Sequence, residues 1–123
     1  MFSIDNMSQR PIYEQLIEQV ERYILTGLLK GEDSLPSVRS LSVELSINPN
    51  TIQKAYSELT SRGIAFSVPG KGCYVSPDAF DIISKRGRRE LAVLKDTVRR
   101  LKLIKMSDEE ILSAVREACL EEQ

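Results

Sequence analysis

The stretch from Leu35 to Val75, LPSVRSLSVELSINPNTIQKAYSELTSRGIAFSVPGKGCYV, constrains the fold more than any other part of the chain. It contains two helix starts close together, Ser37 after Leu35-Pro36 and Asn48 before Pro49. Ser and Asn side chains accept backbone N–H groups that a helix start leaves without partners, and Pro fits the first helical position because its missing N–H costs nothing there. Val38, Leu41 and Leu45 then recur on one helical face, and Ile52, Ala55, Tyr56 and Leu59 on another. A break of about three residues around Ser46-Ile47 separates the two helices, as a helix-turn-helix requires. Gly63 suits the left-handed position just past the second helix, after Arg62. The segment Ile64-Ala65-Phe66-Ser67-Val68, the turn Pro69-Gly70-Lys71-Gly72 and the return Cys73-Tyr74-Val75 read as a β-hairpin. The expected class is α+β, mostly α: a winged helix-turn-helix domain followed by a short two-helix region.

The flanking segments fit around this unit. Phe2-Ser3-Ile4 reads as a short edge strand. Pro11 reads as a first-turn residue of a scaffold helix, in which Ile12, Leu16, Val20, Ile24 and Leu28 recur every four residues. Tyr13, Ile17 and Tyr23 widen that face, and Glu14, Glu18 and Glu21 lie away from it. Gly27 and Gly31 break the pattern, so Lys30 to Ser34 reads as a loop. Pro77 ends the hairpin, and Ser76 to Phe80 reads as a linker. Leu91, Leu94, Val98 and Leu101 follow at steps of 3, 4 and 3, a short heptad seam extended by Leu103 and Ile104. Ser107-Asp108-Glu109-Glu110 is a capping box, opening a last helix with Ile111, Leu112, Val115, Ala118 and Cys119 on its apolar side. Two helices alone cannot bury both stripes, so self-association is expected, with Leu91, Leu94, Val98 and Leu101 at the dimer interface. The expected domains are residues 1–76 and residues 77–123.

Composition narrows the functions. With 41% apolar and 28% charged residues the chain reads as globular. No apolar run approaches the ~20 residues that span a bilayer. MFSIDNMSQRP lacks a basic-then-apolar leader, so no membrane role and a cytoplasmic location are expected. There is no histidine, and Cys73 and Cys119 lie far apart, so neither a metal site nor another cofactor is expected. The two cysteines read as reduced, partly buried thiols. The same absence of histidine, with no acid pair in a catalytic motif, leaves no catalytic residue to name and argues against an enzyme. The net charge of −1 conceals an uneven distribution: residues 81–105 carry nine basic and three acidic side chains, residues 106–123 one and six.

An α-helix fits the DNA major groove, and side chains near its N-terminus reach base edges. Asn pairs with adenine, Thr meets a thymine methyl or a phosphate, and Lys reaches guanine or phosphate. Asn48, Asn50, Thr51 and Lys54 supply that set, although helix capping and a solvated face account for the same residues. Arg39 lies off the apolar stripe of the preceding helix, where its guanidinium suits phosphate or guanine, or is simply a surface arginine. Lys71 sits at the hairpin tip between Gly70 and Gly72, which let the backbone approach a phosphate closely or merely form the turn. The run Lys85-Arg86-Gly87-Arg88-Arg89 reads as a solvated helix face, with DNA flanks or an anionic ligand as the alternative. A winged helix given over to protein contacts would also suit the near-neutral total charge.

The residues Leu35-Pro36-Ser37-Val38-Arg39-Ser40-Leu41, Asn48-Pro49-Asn50-Thr51-Ile52-Gln53-Lys54-Ala55-Tyr56, Gly63 and Gly70-Lys71-Gly72-Cys73-Tyr74-Val75 resemble the GntR family of bacterial winged-helix regulators. Pro11-Ile12-Tyr13-Glu14-Gln15-Leu16 and the short tail resemble its YtrA subfamily. The resemblance implies that Arg39, Asn48, Asn50, Thr51, Lys54, Gly70 and Lys71 touch double-stranded operator DNA. It implies a homodimeric transcription regulator, a repressor on a palindromic operator, controlling its own operon and transporter genes. Half-sites would lie about 10 bp apart, centre to centre. Pro69 stands where many relatives carry a basic residue, and Pro49 where some subfamilies carry Arg, which implies fewer charged contacts. An unidentified small-molecule effector fits this picture only at the dimer interface. Fewer than 50 residues follow Val75, hardly enough to enclose a pocket of ~300 Å3.

Overall fold

The computed structural model describes residues 2–121. In chain order the elements are α1 (Ile12–Thr26), α2 (Val38–Leu45), α3 (Pro49–Ser61), β1 (Ala65–Val68), β2 (Gly72–Val75), α4 (Ala79–Leu103) and α5 (Asp108–Leu120). They divide into two units, Met1–Lys85 and Arg86–Gln123.

In the first unit the caps set the helices. The Ser37 hydroxyl accepts from the Ser40 N–H at 3.0 Å, opening α2. The Asn48 side-chain Oδ1 accepts from the Asn50 N–H at 2.8 Å, opening α3 with Pro49 in its first turn. Between them Ser46 adopts the left-handed conformation, φ 56°, and makes the sharp turn. Leu16, Val20, Leu41, Ile52, Leu59, Ile64 and Val75 fill the core that α1, α2, α3 and the hairpin enclose. The strands pair antiparallel with Ala65 opposite Val75 and Val68 opposite Gly72. Pro69 and Gly70 make the tip: the Lys71 N–H donates to the Val68 carbonyl at 2.9 Å and Gly70 has φ 78°, the geometry of a type II turn.

Several expectations are corrected here. Phe2-Ser3-Ile4 is not a strand. Its backbone bonds go to side chains, with the Ser3 N–H donating to Gln19 Oε1 at 3.0 Å, while Phe2 enters the core. Pro11 precedes the helix as its N-cap instead of lying in the first turn. α1 stops at Thr26, because Gly27 turns left-handed and the Leu29 N–H bonds back to the Tyr23 carbonyl at 3.0 Å. That slip exposes Leu28 and buries Leu29 in its place. Glu21 is buried, and its carboxylate meets Arg62 at 3.0 Å. The loop before α2 also carries sheet-like bonds: Leu35 N–H to the Cys73 carbonyl at 2.9 Å, and Val75 N–H to the Asp33 carbonyl at 2.8 Å. β2 is therefore held along both edges. The linker expected over Ser76 to Phe80 is shorter, since Ala79 and Ile83 are buried and the helix starts at Ala79.

In the second unit the Ser107 hydroxyl accepts from the Glu110 N–H at 3.1 Å, which is one of the two bonds of the expected capping box; the return bond to the Glu110 carboxylate is not formed. Among the described residues of this unit only Ile111 is buried. Leu91 is 55% exposed, Leu94 45%, Leu112 52% and Leu120 79%, so most of the apolar side chains here face open space.

Candidate nucleic-acid interface

The buried stripe of α3, Ile52, Ala55, Tyr56 and Leu59, dictates what its opposite face offers. Asn50, Gln53, Lys54 and Ser57 all stand exposed there, one and two helical turns along. Three attachments hold this face in position. The Tyr56 hydroxyl donates to the Pro36 carbonyl at 2.7 Å, tying α3 to the start of α2. Burial pushes the Tyr56 phenol up from its ordinary value, so it stays a donor at neutral pH. At the far end Arg62 bonds Glu58 at 2.9 Å and Glu21 of α1 at 3.0 Å. Its guanidinium is engaged on the scaffold.

The expected contact residues divide between two sides of α3. Gly70 and Lys71 of the wing line an open cleft of about 550 Å3 against α3, which contributes Gln53, Ser57 and Thr60. The Gln53 amide donates to the Ser57 hydroxyl at 3.3 Å within this cleft. On the other side the Lys54 ammonium stands 3.9 Å from the centre of the Tyr13 ring of α1, a cation–π contact. Thr51 is half-buried, and Asn48 is occupied as the cap of α3. Arg39 is exposed on α2. Among the described residues Arg39, Lys54 and Lys71 have no acidic partner, so each leaves its positive charge for an incoming anion.

Gln53 and Ser57 were absent from the expected set. The signal lay in the helical period, since positions 50, 53, 54 and 57 oppose the stripe at 52, 55, 56 and 59. Cys73 also lines the cleft. Burial pushes its thiol up, against hydrogen bonds with Ser67 and Thr60, so it behaves as a small packing residue.

Known proteins share this arrangement. The signature described as "Bacterial regulatory proteins, gntR family" matches residues 12–75. The HTH-type transcriptional repressor YtrA of Bacillus subtilis is 47% identical over 79 residues, which cover 64% of this chain and 61% of that protein. The chain thus aligns with somewhat less than two thirds of that repressor's length. A GntR family transcriptional regulator from Listeria monocytogenes superposes with a TM-score of 0.71 at 29% identity, over 93% of this chain and 98% of that one. The DNA-binding domain of AraR, in complex with its operator ORR3, superposes with a TM-score of 0.51 at 27% identity, over 62% of this chain and 94% of that one. The chain belongs to the gntR family of bacterial regulatory proteins and is, like them, a DNA-binding transcription regulator and not an enzyme.

Proposed function

We propose that the protein is a homodimeric repressor that binds a palindromic operator, acts in the cytoplasm, and controls its own operon together with transporter genes. Residues 1–76 hold DNA and residues 77–123 pair two copies. One observation carries the DNA-binding part: a polar, exposed face of α3, rigidly tied to α1 and α2, lies beside a glycine-framed wing tip carrying Lys71. In this reading the start of α3 enters the major groove, with Asn50 and Gln53 reading base edges. Thr51 and Lys54 approach phosphates or flanking bases. Arg39 clamps a phosphate from α2, and Gly70 and Lys71 follow the adjacent backbone. Asn48 contributes through the helix N-terminus it caps, where free N–H groups favour a phosphate. The repressor role rests on the likeness to the Bacillus subtilis repressor YtrA. The pairing of two copies through Leu91, Leu94, Val98 and Leu101 rests on their exposed or half-buried state in a single chain. Two copies then present two helices to successive turns of the duplex, roughly 34 Å apart.

The test is a gel shift on fragments of the source genome at fixed salt. The protein should select a palindromic fragment, and Arg39→Ala should weaken that binding by about 1–3 kcal/mol, which removes one charge-assisted contact. No fragment bound better than random DNA would end the reading. Leu94→Asp with Leu101→Asp should yield monomers in sedimentation while the first unit keeps its helical signal. An unchanged dimer would move the pairing surface elsewhere.

A further inference from the structure

We infer that the two copies are matched by charge as well as by the leucine seam: the basic ridge of α4 in one copy pairs with the acidic ridge of α5 in the other. This rests on the proposed homodimer and specifies its contacts. Arg88, Lys95 and Arg99 fall along one side of α4, next to the seam face that carries Leu91, Leu94 and Val98. All three are exposed, and among the described residues none has an acidic partner. Their neighbours differ: Arg100 pairs with Asp96 one turn back, and Lys102 with Asp108. On α5, Glu110 and Glu117 fall on one side, flanking the apolar face of Ile111, Val115 and Ala118. Both are exposed, and among the described residues neither carboxylate has a partner.

The spacing matches. Arg88 and Lys95 lie seven residues apart, as do Glu110 and Glu117, two turns or about 10 Å of helix in each case. Each ridge borders an apolar strip that is exposed in the single chain, at Leu91 and Leu94 on one helix and at Leu112 and Val115 on the other. This is the pattern of helical interfaces in which flanking charges choose the partner and fix the register while apolar positions supply the attraction. A second copy of this chain supplies the complement to both ridges at once, because a two-fold interface uses the same patch twice.

Charge reversal tests the pairing. One variant carries Arg88→Glu with Lys95→Glu, the other Glu110→Lys with Glu117→Lys. Dimer affinity is measured by sedimentation at low salt, with circular dichroism reporting that the helices persist. Each variant alone should dimerise at least roughly tenfold more weakly, since like charges then meet at both contacts. An equimolar mixture should restore dimers as heterodimers, and the four substitutions in one chain should restore homodimers. Four results would overturn the inference. If the mixture fails while the fourfold variant recovers, the ridges pair within one chain. If both variants dimerise like the parent, the ridges take no part. If the α4 variant keeps its dimer and loses only DNA affinity, its ridge serves phosphates. A parent protein that is itself monomeric sinks the homodimer reading, and this inference with it.

Discussion

The two units of this chain obey the same rules of helix capping and apolar spacing, yet they finish differently. The first, Met1–Lys85, buries its stripes against one another, and Ile52, Ala55, Leu59, Ile64 and Val75 have no exposed surface. The second, Arg86–Gln123, has equally regular stripes and leaves them exposed, with Ile111 alone buried among its described residues. Three helices and a hairpin surround a core; two helices offer only a line of contact. An amphipathic helix gains most of its stability from what covers its apolar face. A stripe that no element of its own chain covers is therefore information about a partner.

That contrast can be broken by substitution. The largest effect belongs in the first core: Leu59→Ala should cost about 2–5 kcal/mol of unfolding free energy, because the site is sealed and cannot collapse freely. Denaturant titration measures it, and a loss under about 1 kcal/mol would mean that this core is loose. A middle effect is expected at the α2–α3 tie. Tyr56→Phe removes the bond to the Pro36 carbonyl and should cost about 1 kcal/mol near neutral pH. The Tyr56 phenol is raised above its ordinary value by burial, so the unfolded chain gives up this proton first. Stability from this group is present below pH ~10, the ordinary tyrosine value, and declines as pH rises past it. Tyr56→Phe should flatten that decline, and an unchanged alkaline profile would remove Tyr56 as its source. The smallest effect belongs to the second unit. Leu94→Ala, measured at protein concentrations too low for association, should stay within about 0.5 kcal/mol, because Leu94 is already 45% exposed. A core-sized loss there would show that the second unit is packed within the single chain, and the comparison would fall.

Local chemistry made much of this molecule legible from its residues. Ser37, Asn48-Pro49, Gly63 and Ser107 each act within four residues of themselves, so the helix ends they mark follow from sequence alone. The stripe Ile52, Ala55, Tyr56 and Leu59 follows from the helical period in the same way. What resists reading depends on partners distant in the chain. Glu21 looks like a solvent-facing acid until Arg62 comes across to meet it. The loop at Asp33 to Leu35 has no strand pattern of its own, and its sheet-like bonds exist because β2 has a free edge there. Leu28 and Leu29 compete for one buried place, and the left-handed turn at Gly27 decides between them. In the candidate interface the residue types at Asn50 and Lys71 were readable. The division of α3 into a wing side with Gln53 and a scaffold side with Lys54 required Tyr13 and the wing in place.

The double attachment of β2 has a mechanical consequence. A strand bonded on one edge to Ala65–Val68 and on the other, over Cys73 to Val75, to Asp33 and Leu35 is clamped at its root, and only the tip from Val68 to Gly72 lies beyond the double attachment. A cantilever bends in proportion to a steep power of its free length, so a short overhang deflects little however hard it is buffeted. In the proposed complex the wing would thus present Lys71 from a short arm, and what would adjust to the shape of the duplex is chiefly that one side chain.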